Sequence, residues 1–285
     1  RTTLRMVAAS THQQMVDDLA AADVPLLRSA LERLAAMGAD APRPAFLELD
    51  TGGCFEGAEK LGVGSSAALT VALLAALAPD AVSRDDFLQQ CIECHRHFQG
   101  GSGSGADVAT SVCGGVIEFR GGPVPRAVPW RLPAELAVDF AWSGAGASTR
   151  VFLDRLATWR RREPTHCRRL FDELLVLTQE AGSVGSAGAF LRVADEYDRT
   201  LHALNAASGM GFYSERHLAM RDIAHAGGCV YKQSGAGGGD FGVVLADDRE
   251  RLAATCSALD RAGFRTGLVG PADEGVRAQG RATDG

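Results

Sequence analysis

Apolar residues recur along this chain with periods that separate helices from strands. Within residues 13–37, Met15, Leu19, Leu26, Leu27, Leu31 and Leu34 fall at helical spacings, which predicts an amphipathic helix or helix pair. Phe46–Asp50 reads as a short strand. Residues 65–78 are apolar around most of a helical circumference, so they predict a buried helix. A second helix is expected from the cap candidate Ser83 through Gln99, with Phe87, Cys91 and His95 four residues apart on one face. Residues 116–119 and 136–142 read as strands, and residues 120–133, with four prolines, read as a linker. Helical patterns fill residues 151–181 and 185–207. Val230–Gln233 and Phe241–Ala246 read as strands flanking a glycine loop, followed by a helix over 249–262. Strands and helices without strict alternation predict an α+β fold rather than a doubly wound sheet.

Composition narrows the class. The 285 residues are 46% hydrophobic and 22% charged, enough apolar surface to exclude a disordered chain. The 34 glycines follow no fixed period, which excludes a collagen-like repeat. A net charge of -6 argues against a nucleic-acid partner. The longest apolar run, residues 67–78, falls short of the ~20 residues of a membrane span. No charged-then-apolar signal opens the chain, so neither membrane insertion nor export is expected. Seven widely spread cysteines fit a reduced cytoplasmic protein. Cys91-Ile92-Glu93-Cys94-His95 has the spacing of c-type haem attachment, but its helical setting favours packed thiols. No second Cys/His pair stands at zinc-site spacing.

The chemistry concentrates in three glycine-serine loops. The first, Lys60-Leu61-Gly62-Val63-Gly64-Ser65-Ser66-Ala67-Ala68, runs into the buried helix. A helix N-terminus offers unpaired N–H groups and positive charge to a phosphate. The plainer reading is an N-cap serine on a core helix. The second loop spans residues 99–107 and ends in Ala106-Asp107. An aspartate there is either a turn residue or a carboxylate able to orient or deprotonate an attacking oxygen. The third, residues 232–240, reads K-Q-S-G-A-G-G-G-D. It exceeds what a hairpin turn needs, so a backbone cradle for an anion is expected. G-x-x-x-x-G-K-[ST], H-R-D and D-F-G are all missing, which excludes P-loop and protein-kinase readings.

Three such loops in this order resemble the GHMP-superfamily small-molecule kinases. Residues 62–68 match the family's G-L-G-S-S-A-A with Val63 for Leu, residues 103–107 a G-S-G-x-D-type segment, and residues 232–240 its third motif. Lys60-Leu61, His95-Arg96 followed by Gln99-Gly100, and Trp142-Ser143-Gly144-Ala145-Gly146-Ala147-Ser148-Thr149 are similar to the phosphomevalonate kinase subfamily. The resemblance implies a two-lobed α+β fold, with an N-terminal ATP-binding lobe over residues 1–125 and a C-terminal ferredoxin-like lobe over 126–285. It implies ATP and Mg²⁺ as cofactors and a small-molecule acceptor, phosphomevalonate foremost. A hydroxyl acceptor (mevalonate, homoserine or a sugar) and an inactive ligand-binding relative are the alternatives. A homodimer is compatible with it.

By the same resemblance Gly62, Gly64, Ser65, Ser66 and Ala67 hold the nucleotide, with Ser66 meeting Mg²⁺ or the β-phosphate. Asp107 matches the catalytic aspartate, and Lys60 is a catalytic cation beside the motif. Ser234, Gly235, Ala236, Gly237 and Gly238 border the transfer site, and Ser104, Ser148, Thr149, Arg150 and Lys232 face the acceptor. The arginines from Arg150 to Arg169 read mainly as a solvated helix face, and His97, His202 and His217 as structural. Two departures stand out. The family's early P-G-K-type strand has no match in residues 1–45, which leaves a trimmed N-terminus or an inactive relative open. Some relatives carry a Mg²⁺-binding Glu eleven residues before the aspartate, and this chain has Arg96 there.

Overall fold

Thr2 and Leu4 are buried on one face of β1 (Thr2–Val7), the period-two pattern of a strand covered on one side. The computed structural model describes residues 2–40, 44–77, 84–146, 149–235 and 237–277. β1 pairs antiparallel with β2 (Thr11–Val16) and parallel with β3 (Phe46–Asp50), giving the order β2-β1-β3. Arg5 and Glu48 stand opposite each other on β1 and β3 and form an ion pair of 2.8 Å. The expected helix over residues 13–37 is therefore corrected at its start. Gln13 to Val16 belong to β2, a short 3₁₀ turn follows at Leu19–Ala21, and only Pro25–Ala36 is helical (α1). Pairing with β1 overrides the local helical spacing, and Met15 is left exposed on the strand.

The chain forms two compact units. The first holds residues up to Glu59, Val63–Arg131 and the tail from Pro271 onward. Its centre is α2 (Ser65–Leu77), whose Ala67, Val71, Leu73, Leu74 and Leu77 are buried. They pack with α1, α3 (Arg84–Phe98) and α4 (Ala106–Cys113) into one core with Leu4 and Leu49 of the sheet. Cys91, Ile92, Cys94 and His95 all lie inside this core, so the Cys-x-x-Cys-His thiols are packed as expected. Burial pushes the Cys94 thiol up to about 11. β4 (Phe55–Glu56) and β5 (Glu59–Lys60) form a small ribbon before the first glycine loop.

β6 (Ile117–Arg120) and β7 (Arg126–Pro129) pair antiparallel, so the proline-rich stretch is a hairpin rather than a linker. Pro123 and Pro125 fall between the strands, and Pro129 ends β7 on a two-stranded ribbon that has no inner strand to disrupt. The tail is stitched to the end of α4. Gly115 donates to the Ala272 carbonyl at 2.6 Å, and Val276 donates to Ser111 at 3.0 Å.

The second unit holds Lys60–Gly62 and Leu132–Gly270. β8 (Ala137–Trp142), β9 (Val230–Gln233) and β10 (Phe241–Ala246) form an antiparallel sheet in the order β8-β10-β9. β10 alternates between two cores. Val244 and Ala246 face Met220, Leu252 and Leu259, whereas Leu245 faces Ala187 and Ala194. α8 (Glu215–Ala226) and α9 (Arg249–Arg261) thus cover one face and α7 (Ala187–Ser208) the other. A single bridge of Trp142 to Arg265 stands where a fourth strand would lie, beside β8. That order matches the ferredoxin-like β-α-β-β-α-β arrangement, with helical insertions between β8 and β9. α5 (Thr149–Arg162) and α6 (Pro164–Ser183) belong to those insertions, broken from each other at Glu163 with Pro164 at the first helical position. α8 has no counterpart in the periodicity reading. Its start is marked by Ser214, whose side chain accepts from the His217 N–H.

Candidate active site

In the first unit the glycine-serine loop and the aspartate loop meet. Gly64 has φ +76°, and a Cβ placed on it would lie 3.5 Å from the Asp107 Cβ. Its carbonyl accepts the first bond of α2, from Ala68 at 3.0 Å, so glycine rather than serine caps the helix. The N–H groups of Ser65, Ser66 and Ala67 fall in the first helical turn, where no intrahelical carbonyl is available. Ser65 and Ala67 are buried, and Ser66 is half-buried with Oγ 3.0 Å from His95 Nε2.

The aspartate loop is held from α3. Arg96 donates through Nε to the Gly103 carbonyl at 2.9 Å and through Nη2 to the Ser104 carbonyl at 3.1 Å. The residue standing where some relatives have a metal-binding Glu is thus a clamp on the loop. Glu93, one turn earlier, is paired with Arg33 and Gln89. Gly105 has φ +86°, and a Cβ on it would come 2.9 Å from Ile92, so only glycine lets α4 start this close to α3. Ser104 Oγ accepts from the Ala106 N–H at 3.3 Å. Asp107 sits in the first turn of α4 with its side chain 43% exposed, Oδ1 accepting from Val108 at 3.0 Å. Its Oδ2 lies 3.9 Å from Nδ1 of His95, which is itself only 2% exposed. Burial holds the His95 imidazole below its ordinary pKa, with the Asp107 charge pulling it back up.

The second unit builds the other loop. Leu61 is buried against Trp142 and Phe241, and Asp240 fills the space beside Gly62, which anchors the start of the first motif here. Asp240 donates from its N–H to Ala145 at 2.6 Å, and Ser143 donates to Asp240 at 2.8 Å. Arg216 of α8 bonds the Ser143 carbonyl and lies over the Phe264 ring. The third loop's glycines divide into two kinds. A Cβ on Gly237, Gly238 or Gly239 would strike the Phe212 carbonyl, the Phe152 ring or the Ala145 carbonyl respectively. Gly235 has φ +62° and open space around it. The excess of glycine that suggested an anion cradle is therefore required in large part by close packing.

Placement separates the remaining expected site residues. Lys60 is exposed on β5, and Ser234 donates its N–H to Phe241 at 2.9 Å. Lys232 lies over the Tyr197 ring with its ammonium donating to the Gln233 carbonyl at 2.9 Å, and burial lowers its pKa against the pull of Asp198. Ser148 and Ala236 lie outside the described residues, as do the side chains of Thr149 and Arg150. Arg155 is spent on the Met210 carbonyl at 2.8 Å, while Arg161, Arg162 and Arg169 make local helix contacts at the surface.

Two residues of structural consequence carried no role in the sequence. His95 stands in the Phe87-Cys91-His95 helix face, the Cys-x-x-Cys-His spacing and the His-Arg match, and Asp240 is only the last letter of the third motif. His217, read there as structural, holds the third loop through Nε2, which donates to the Gly239 carbonyl at 2.8 Å.

Residues 26–115 match the model of the GHMP kinases N terminal domain. A phosphomevalonate kinase from Streptomyces sp. is 31% identical, the match covering 67% of this chain and 59% of that protein. The chain thus spans less than two thirds of this relative's length. A crystal structure of a Listeria innocua protein superposes with a TM-score of 0.81 at 18% identity, covering 95% of this chain and 85% of that one. Streptococcus pneumoniae phosphomevalonate kinase, solved with phosphomevalonate and AMPPNP, superposes with a TM-score of 0.70 at 16% identity over 93% and 86% of the two chains. Among the described residues no helix is long and apolar enough to cross a membrane. With its ordered glycine loops, its N-terminal domain match and this α+β fold, the chain belongs to the GHMP kinase superfamily.

Proposed function

We propose that this protein transfers the γ-phosphoryl group of ATP to a small phosphorylated acid, with phosphomevalonate as the foremost acceptor. The observation that carries the reading is the placement of Asp107 against Gly64, 3.5 Å from its Cβ position. This sets an exposed carboxylate beside the N–H groups that open α2. Phosphoryl transfer is mostly positioning and charge stabilisation, so a rigid donor loop next to an oriented carboxylate suits it. The identity to a phosphomevalonate kinase supports the choice of acceptor. An acceptor oxygen attacks the γ-phosphorus as the bond to the β-bridging oxygen breaks, releasing ADP. A phosphate acceptor with its second pKa near ~6 has already lost its proton at neutral pH, so Asp107 orients it. With a hydroxyl acceptor Asp107 would also take the proton.

The N–H groups of Ser65, Ser66 and Ala67 suit phosphate oxygens. Among the described residues there is no cluster of three or more His, Cys, Asp or Glu fit to cage a metal. Ser66 and Asp107 still fit Mg²⁺, because this ion is usually held by one or two carboxylates together with substrate phosphates and water. When bound, Mg²⁺ would neutralise charge on the phosphates. Among the described residues no two cysteines are joined in a disulfide, which fits a reducing compartment such as the cytoplasm.

ADP release from Mg·ATP, measured against phosphomevalonate, mevalonate, homoserine and common sugars, tests the proposal. Turnover with phosphomevalonate that disappears in Asp107→Ala is the expected result. Turnover with a hydroxyl acceptor alone would replace the acceptor. Nucleotide binding without turnover on any acceptor would replace the activity by ligand binding.

A further inference from the structure

His95 is addressed on both sides. One ring nitrogen, Nε2, lies 3.0 Å from Ser66 Oγ, and the other, Nδ1, lies 3.9 Å from Asp107 Oδ2. The ring is buried in the core between α2, α3 and α4, stacked near Phe98. Three helices therefore converge on one imidazole, and two of them carry expected site residues in their first turns.

We infer that His95 is a positioning residue that turns the Ser66 hydroxyl proton inward and so presents the Ser66 oxygen lone pairs to a metal ion rather than to a phosphate oxygen. The inference rests on the phosphoryl-transfer reading and deepens it. A neutral imidazole has one N–H and one bare nitrogen. The Asp107 carboxylate, exposed and too far for a direct hydrogen bond, still sets a negative charge 3.9 Å from Nδ1 of the buried ring, which favours the proton on that nitrogen. Nε2 is then the acceptor, and the Ser66 O–H must donate to it. A hydroxyl whose proton is so engaged has only lone pairs to offer outward. It can ligate a cation, but it cannot donate to a phosphate. Of the two partners open to Ser66, this leaves the metal. Groups behind a metal ligand commonly set its orientation in this way, and their loss costs ~10–100-fold in metal affinity or activity.

The test has two arms. The tautomer is read in the wild-type protein at pH 8 from ¹⁵N shifts of the imidazole and their two-bond couplings to ring protons. Protonated Nδ1 and bare Nε2 are expected, and protonated Nε2 overturns the inference without reference to any activity. The second arm compares His95→Phe, His95→Gln, Ser66→Ala and the His95→Phe/Ser66→Ala double variant by calorimetry with Mg·ADP and with metal-free ADP. His95→Phe is expected to weaken Mg·ADP about tenfold, with metal-free ADP changed less than about twofold. His95→Gln, which keeps a polar group toward Ser66, should recover part of the loss. The double variant should match Ser66→Ala alone, since His95 acts through that hydroxyl. Equal weakening of both ligands, or losses that multiply in the double variant, overturns the inference. If Phe at 95 prevents folding, Gln carries the comparison. A wild-type protein that binds Mg·ADP but turns over no acceptor would remove the phosphoryl-transfer reading while both arms still decide the role of His95.

Discussion

Asp240 Oδ1 occupies the place that a Cβ on Gly62 would need. The last residue of the third motif thus packs on the first glycine of the first glycine-serine loop. Both backbones are in left-handed conformations, Gly62 at φ +74° and Asp240 at φ +58°. Among the described residues Asp240 is the non-glycine residue with positive φ. Strain of that kind costs ~1–3 kcal/mol per residue. Gly62→Ala adds strain and collides with the carboxylate, so urea unfolding should show a loss of about 2 kcal/mol or more. Asp240→Gly should be tolerated and should rescue part of the Gly62→Ala loss, because it removes both the collision and a strained side chain. Fully additive effects of the two changes would show that the residues do not interact.

Asp198 is wholly buried on α7, where Oδ2 accepts from Arg221 Nε at 2.6 Å and Oδ1 accepts from the Tyr213 hydroxyl. The pair ties α7 to α8 and to the segment before it. Removing one member of a buried pair leaves the other charge unanswered, at a cost of ~3–5 kcal/mol. Asp198→Ala is expected to fall in that range by denaturant unfolding. Removing the half-exposed Arg5–Glu48 pair should cost less than ~1 kcal/mol. Comparable losses at the two places would contradict the burial argument.

His217 is fully buried, accepting at Nδ1 from the Tyr231 hydroxyl while Nε2 donates to Gly239. Burial lowers its pKa from 6.5, only partly offset by the Gly239 bond. The unfolded chain therefore binds a proton more readily than the folded one below that value. Stability is complete above pH 6.5 and declines as pH falls below it. His95, lowered by burial as well, acts in the same direction. Unfolding free energies measured from pH 7.5 down to pH 5 should fall, and His217→Gln should flatten the decline while lowering stability at pH 7.5. An unchanged slope in that variant would remove His217 from the account.

Asp107→Asn separates orientation from proton removal. With a hydroxyl acceptor the loss in kcat should approach the ~10²–10⁴-fold typical of general-base help. With a phosphate acceptor, already ionised near neutral pH, the loss should be markedly smaller. Steady-state rates on phosphomevalonate and mevalonate make the comparison, and equal losses would assign Asp107 a role common to both acceptors.

The order of the three loops, the apolar helix α2, the strands β9 and β10 and the helix α9 were all legible from residue order, because each depends on local periodicity or local turn chemistry. What was missed depended on partners far along the chain. Met15 and Leu19 fit a helical spacing, and only the register with β1 makes residues 11–16 a strand. β7 was hidden by its flanking prolines until β6 supplied hydrogen bonds. His95 and Asp107 are twelve positions apart, and no spacing rule joins them to Ser66. The crossing of α2, α3 and α4 does so. Likewise the letters K-Q-S-G-A-G-G-G-D announced backbone freedom but not its use. Tertiary packing decided that Gly237, Gly238 and Gly239 make room for neighbouring groups while Gly235 stays open, because whether a missing Cβ is occupied depends on residues that only folding brings near.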